Sequence, residues 1–271
     1  MSALPQNEVY GTPAGIRRLE AQVALSWDLE LELLINAGLR DGMTIVDLGC
    51  GPGFVAESLL DHFPSTRVIA IEADAEMLAV ASSRLARHAG PRLTMRHASA
   101  EATGLPENDA DFVLARYLFQ HLAEPETVAA ESLRILRPGG TCAVIDVDAQ
   151  LLGIVTPAMP VVQSIFERGR RHQAGTGGRP LIGRHLWRIL RDAGFDHPRL
   201  QAFTYHSDEL GKEAFLPLLS TDQLQAARAA GDISQPEMAI ATASVQHFLH
   251  DPNGFVLMLG FLATGRKGPP R

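Results

Sequence analysis

Apolar and polar positions follow two periods along this chain. Short runs rich in β-branched and aliphatic residues occur at Thr44–Leu48, Arg67–Glu72, Leu93–His97, Phe112–Arg116 and Thr141–Val147. Stretches with apolar residues three and four apart lie among them, at Val55–Phe63, Ala75–His88 and Thr127–Leu136. Strands alternating with amphipathic helices predict a parallel sheet covered on both faces. The helix after Glu124-Pro125 has a proline in its first turn, where no hydrogen bond is lost. It stops at Arg137-Pro138-Gly139-Gly140, a basic turn followed by breakers.

Upstream, Ile16, Leu19, Val23, Trp27, Leu31 and Leu34 have helical spacing, which predicts one or two helices over Ala14–Ala37. After Val147 the pattern changes. Residues 149–183 are interrupted by glycine and proline, and Ala174-Gly175-Thr176-Gly177-Gly178 reads as a mobile loop. Arg184–Ala193 reads as a helix closed by Gly194, Arg199–His206 as a strand, Asp208–His250 as mostly helical and Phe255–Thr264 as a last apolar strand. The expected division is a helical cap over 1–40, an α/β core over 41–148, and a lid with further helices and the last strands over 149–271.

Composition narrows the function classes. With 271 residues, 46% hydrophobic and 20% charged, the chain can build a core without disulfide or metal staples. Lys+Arg 24 against Asp+Glu 31 gives −7, a poor balance for gripping phosphate backbones, so no nucleic-acid partner is expected. Cys50 and Cys142 form neither a disulfide framework nor a CxxC metal pair, so a reducing, cytoplasmic setting is expected. The first residues lack the basic and apolar regions of a secretory leader. The longest uncharged run, Ala149–Phe166, is broken by Pro157 and Pro160 and falls short of the roughly 20 residues of a membrane span. His247 and His250 have no assignable third ligand, so no metal is expected.

The sharpest chemical signal is Ile45-Val46-Asp47-Leu48-Gly49-Cys50-Gly51-Pro52-Gly53-Phe54. A strand ends near a carboxylate, and three alternating glycines let the backbone turn tightly and approach a ligand. A dinucleotide fingerprint would want a small residue at 54, where Phe54 would crowd a pyrophosphate and Asp47 would repel it. A carboxylate is useful if the ligand carries an ammonium and a sulfonium, as S-adenosylmethionine (SAM) does. Glu72 closes the next strand 19 positions after Gly53, a spacing at which an acid can accept both hydroxyls of a ribose.

The Asp47–Gly53 turn, Glu72, Ala100-Glu101 followed by Gly104-Leu105-Pro106, and Leu136-Arg137-Pro138-Gly139-Gly140 resemble the class I SAM-dependent methyltransferases. Within them the chain is similar to the small-molecule group that includes the ubiquinone/menaquinone-biosynthesis type, most specifically over about residues 40–148. The resemblance implies a Rossmann-like seven-stranded α/β sheet in the order 3-2-1-4-5-7-6, with the last strand antiparallel, an N-terminal helical cap and a helical insertion before the last strand. It implies that Asp47 and Gly49 hold the methionine part of SAM, that Gly51 and Gly53 shape the pocket, and that Glu72 binds the ribose, with Ala73 and Met77 against sugar and adenine. Ser99-Ala100-Glu101 falls where such enzymes have Asp-Ala at the adenine amino group, and a serine hydroxyl can still accept there. From the lead-in helix it implies Tyr10, Arg18 and Gln22 as a cover, with Arg18, or Arg17, meeting the methionine carboxylate.

Arg116 and His121 follow the fourth strand, at the carboxyl edge where open α/β sheets bind ligands. Both are expected near the methionine end. His121 is also the catalytic candidate, since a phenol or enol acceptor needs a base near neutrality. The apolar stretch 149–166 and the Gly175–Gly178 loop are expected to form the acceptor lid, while Arg168, Arg170 and Arg171 read as a solvated helix face. The implied activity is methyl transfer from SAM to a small, partly apolar molecule, with O-methylation favoured over C or N and S-adenosylhomocysteine as product. The alternative is a SAM-binding protein of the same fold acting as a non-methylating catalyst or partner subunit; an NAD(P)-dependent oxidoreductase is disfavoured by Phe54 and Asp47. Expected partners are the small-molecule acceptor and a second copy of the chain, with no membrane.

Overall fold

Both periods of the sequence become regular structure. The computed structural model describes residues 12–151, 153–219, 228 and 233–269. Helix α1 (Pro13–Asn36) is one continuous helix of 24 residues. Thr12 opens it, its Oγ1 accepting from Gly15 N at 3.0 Å, and Pro13 follows in the first turn. Trp27, Leu31 and Leu34 are buried along one stripe, and Glu30 lies buried among them.

The core then runs β1 (Thr44–Leu48), α2 (Phe54–His62), β2 (Arg67–Glu72), α3 (Ala75–Arg84), β3 (Leu93–His97), β4 (Ala110–Arg116), α4 (Pro125–Ile135) and β5 (Leu136–Asp146). These five strands are parallel in the order β3-β2-β1-β4-β5. Successive strand residues point to opposite faces. Ile45, Phe112, Leu114, Ala143 and Ile145 join the core on one face, and Val46, Leu48, Val113, Ala115, Cys142 and Val144 the core on the other. Every residue of β1 is buried, which is why Ile45, Val46 and Leu48 stand together as an apolar run, with Thr44 and Asp47 as its buried polar members. β5 starts at Leu136 rather than Thr141, because Gly139, at φ 82°, turns the chain without ending the strand and Gly139 and Gly140 exchange backbone hydrogen bonds with Lys267.

The second half contributes β6 (Gly153–Thr156), α5 (Pro160–Gly175), α6 (Leu186–Ala193), β7 (Asp196–His206), α7 (Gln235–His250) and β8 (Phe255–Arg266). β8 is antiparallel to β5 and lies between it and β7, so β3-β2-β1-β4-β5-β8-β7 is the implied methyltransferase order. An eighth strand, β6, was not expected. It arises because β8 outruns β5: Phe261–Arg266 pair with β5, and the open edge of Phe255–Met258 is covered by Thr156–Gly153. The expected mobile loop is also different. α5 runs through Gly175, and the following turn is docked, with Gly178 N donating to Gln173 O at 2.9 Å and Arg179 N to Gln120 O at 2.8 Å. Among the described residues no helix is long and apolar enough to cross a membrane.

Candidate functional site

The turn after β1 carries left-handed backbone at Gly49, Gly51 and Gly53, with φ of 67°, 53° and 84°. That region costs an L-residue about 1–2 kcal/mol, so glycine is the residue that fits. The three positions do different things. A Cβ on Gly49 would sit 2.9 Å from Leu118 Cδ1, whereas one on Gly51 would meet nothing within 4 Å because it faces open space. Gly53, expected to shape the pocket, is set back from it. Its Cβ would lie 3.1 Å from Leu85 Cδ1 and 3.2 Å from Ala81 Cβ, so it serves the packing of α2 on the α3 segment.

The open space is a cavity of about 1590 Å³ beyond the carboxyl ends of β1, β2 and β4. Single small-molecule sites span roughly 300–1,000 Å³, so this one has room for two molecules side by side. Asp47 borders it, is 2% exposed, and its Oδ2 has no hydrogen-bond partner. Burial pushes the Asp47 carboxyl up to about 7, the Arg116 guanidinium pulls it back, and Glu72 pushes it up again. An unpartnered buried carboxylate oxygen costs stability, and a ligand cation placed against it recovers that cost.

Glu72 is not idle beside it. Its Oε2 accepts from Gly51 N and its Oε1 from Asp74 N, both at 2.9 Å, so this carboxylate ties the glycine turn to the end of β2. Each oxygen keeps a second lone pair for a hydroxyl. Asp74 caps α3, its Oδ1 accepting from Glu76 N and Met77 N, and thereby holds Ala73 and Met77 on the wall. Ser99, Ala100 and Glu101 continue that wall, with the Ser99 hydroxyl donating to the Glu101 carboxylate. Arg18 and Gln22 reach the cavity from α1, whereas Tyr10 lies outside the described residues.

Arg116 borders the cavity, but its guanidinium is committed elsewhere. Its Nε donates to Glu30 Oε2 at 2.5 Å and its Nη2 to Glu30 Oε1 at 3.1 Å, with the two side chains 7% and 0% exposed. Ser26 Oγ also donates to Glu30 at 2.7 Å, and the Arg116 guanidinium stacks 4.4 Å over the Tyr117 ring. The fully buried Glu30 needs a cation, and that need outcompetes a ligand for Arg116. The pair pins α1 to the end of β4. Glu30 was legible: an acid at 30 in a stripe of 27, 31 and 34 sits at a buried helix position.

His121 ends a short 3₁₀ turn, Phe119–His121, held by buried Asp146, whose Oδ2 accepts from Gln120 N at 3.0 Å. His121 borders the cavity; burial pushes its imidazole down to about 4, and the Arg18 guanidinium adds to this. The same cavity has an apolar share of lining from the second half of the chain, with Val155, Met159, Val162, Phe166, Leu218 and Met258 on its wall and Tyr205 among them. Its polar groups include Gln163, Glu167 and Arg170, so Arg170 reaches the site rather than only solvent. Sequence periodicity does not separate the cavity-facing residues of α5 from core-facing or solvent-facing ones, because the cavity wall takes both apolar Val162 and Phe166 and polar Gln163, Glu167 and Arg170.

Residues 46–144 match the family model described as "Methyltransferase domain". The trans-aconitate 2-methyltransferase of Azoarcus sp. (strain BH72) is 38% identical over 113 residues, 42% of this chain and 42% of the relative. The ubiquinone/menaquinone biosynthesis C-methyltransferase UbiE of Hahella chejuensis is 28% identical over 128 residues, 46% of this chain and 51% of the relative. The chain spans about half the length of the curated relatives it matches. Among solved structures, phosphoethanolamine N-methyltransferase 2 of Haemonchus contortus in complex with S-adenosyl-L-methionine aligns with a TM-score of 0.63 at 19% identity, covering 97% of this chain and 59% of the other.

Proposed function

We propose that this chain, whose residues 46–144 match a family model described as "Methyltransferase domain", is a class I SAM-dependent methyltransferase that transfers the methyl group of SAM to a small, partly apolar acceptor. The observation that carries the reading is the buried Asp47, whose Oδ2 has no hydrogen-bond partner, beside a glycine turn whose Gly51 faces open space. Asp47 and Gly49 receive the methionine end, with Arg18 and Gln22 covering it. The spare lone pairs of Glu72 take the ribose hydroxyls. Ala73, Met77, Ser99, Ala100 and Glu101 frame the adenine. Arg116 acts one step back, by holding α1 over the cleft. The cap 1–40, the core 41–148 and the segment 149–271 then divide the work into cover, cofactor site and acceptor wall.

Methyl transfer needs the nucleophile in line with the methyl–sulfur bond at near-contact distance and a site closed to water. Met159, Val162 and Phe166, on the wall of the same cavity as Asp47 and Gly49, supply such an apolar wall. Its apolar lining supports a partly apolar acceptor, and O-methylation is our preferred outcome, with trans-aconitate and quinone precursors the acceptor classes that the relatives' names suggest. Calorimetry of the purified chain tests the reading: heat is expected with SAM and with S-adenosylhomocysteine and none with NADH. Heat with NADH alone, or with none of the three, overturns it.

A further inference from the structure

The lid helix α5 ends against the His121 turn in a way that fixes the chemistry of the imidazole. Gln173 Nε2 lies 3.1 Å from Gln120 O and 3.4 Å from His121 Nδ1. A backbone carbonyl can only accept, so the part of the Gln173 amide facing Gln120 O is the NH2 group, which has two protons to give. Gln120 O is already an acceptor for Arg179 N at 2.8 Å, in keeping with that role. The second proton of the same NH2 group then points to His121 Nδ1, which must offer a lone pair. In a neutral imidazole the ring proton therefore sits on Nε2.

We infer that Gln173 is a positioning residue that locks His121 in the Nε2–H form, so that His121 serves the methyl-transfer site as a hydrogen-bond donor and not as a proton acceptor. The low pKa of the buried ring agrees, because a group protonated only near pH 4 stays neutral at physiological pH and is a weak base. Arg18, the charged group that acts on this ring, disfavours its protonation as well. The backbone is shaped for the contact. A Cβ on Gly178 would come within 2.8 Å of Gln173 Cγ and 3.0 Å of Gln120 O, so the closing turn of the lid has to be glycine for Gln173 to reach in.

The consequence, resting on the proposed function, concerns the acceptor. With His121 unable to take a proton, the acceptor that suits it is one whose nucleophilic oxygen arrives already ionised, a carboxylic acid rather than an alcohol. A carboxylate lone pair forms the new O–CH3 bond, the methyl–sulfur bond breaks with its electron pair going to sulfur, and the products are a methyl ester and neutral S-adenosylhomocysteine. No proton moves. The Nε2–H donor steadies the carboxylate's charge, and Arg170, which also donates to Ala149 O at 3.0 Å, lies on the same cavity wall together with Glu167.

Imidazole ¹⁵N correlation spectra of the ¹⁵N-histidine-labelled full chain, with and without S-adenosylhomocysteine, read the tautomer directly. The expected wild-type signature of His121, assigned by its loss in His121→Asn, is Nε2–H, unchanged from pH 6 to 8. In Gln173→Glu the carboxylate can only accept, so the proton should move to Nδ1 and the ring's pKa should rise by about 1–3. A wild-type ring protonated on Nδ1, or a ring titrating between pH 6 and 8, overturns the inference even if the variant fails to fold. Failure of the cofactor reading would show separately, as absent heat with SAM, and would leave the tautomer measurement intact.

Discussion

Asp47 links cofactor affinity to pH. Its carboxyl is fully buried and titrates near 7, yet the proposed ligand presents an ammonium and a sulfonium that favour the ionised form. Binding therefore has to expel a proton from whatever fraction is protonated. With a pKa near 7, about 3% of Asp47 is ionised at pH 5.5 and about half at pH 7.0, so the dissociation constant for SAM should fall about fifteenfold across that interval. The ligand's α-amino group, with a pKa near 8, stays charged throughout, and His121 is already neutral. Asp146 also titrates near 7 but lies off the cavity wall, and Asp47→Asn separates the two. The variant should lose the pH slope and bind about 1–3 kcal/mol more weakly at pH 7, roughly 5- to 150-fold. Calorimetry in buffers of different ionisation enthalpy should count close to one proton released per SAM at pH 5.5. An affinity that changes less than twofold between pH 5.5 and 7.0, or a wild-type slope kept in Asp47→Asn, refutes the reasoning. The sign for stability is opposite to that of an ordinary paired carboxylate. The unfolded chain ionises Asp47 above its usual value near 4 while the folded chain holds the proton to about 7, so the unliganded protein should lose thermal stability as pH rises through that window.

Other perturbations test the rest of the site. Gly51→Ala and Gly53→Ala both carry the strain of left-handed backbone and should both lower Tm, Gly53→Ala by more because its Cβ would press on Leu85 and Ala81, whereas Gly51→Ala, whose Cβ would project into open cavity, should lose more SAM affinity of the two; the opposite ranking in either assay would contradict the geometry. Arg116→Met leaves Glu30 buried without its cation and should destabilise the fold by about 3–5 kcal/mol in denaturant unfolding, most of it recovered in the double variant with Glu30→Met; a loss of under 1 kcal/mol would show that the pair does not hold α1 in place. Glu72→Ala frees the Gly51 and Asp74 N–H groups and should lower both Tm and cofactor affinity, while an unchanged Tm would mean that those hydrogen bonds do not organise the turn.

What the sequence determined by itself is local and periodic. Alternating strand and helix patterns, the proline that opens α4 and the glycines that only left-handed backbone explains are set within a few residues of one another, so β1 to β5 and the Asp47–Gly53 turn are legible in the sequence alone. The tertiary structure decided matters of partnership. Only packing showed that Gly53 faces a helix and not the cavity, that Arg116 belongs to Glu30, 86 positions away, and that β6 exists because β8 is longer than β5. The same holds for Gln173, whose amide acquires a direction from Gln120 and His121 across some fifty residues of chain. Periodicity reports which face of an element is apolar; it is silent on which buried groups of opposite need meet. Charge compensation and hydrogen-bond saturation are settled only when distant elements are brought into contact.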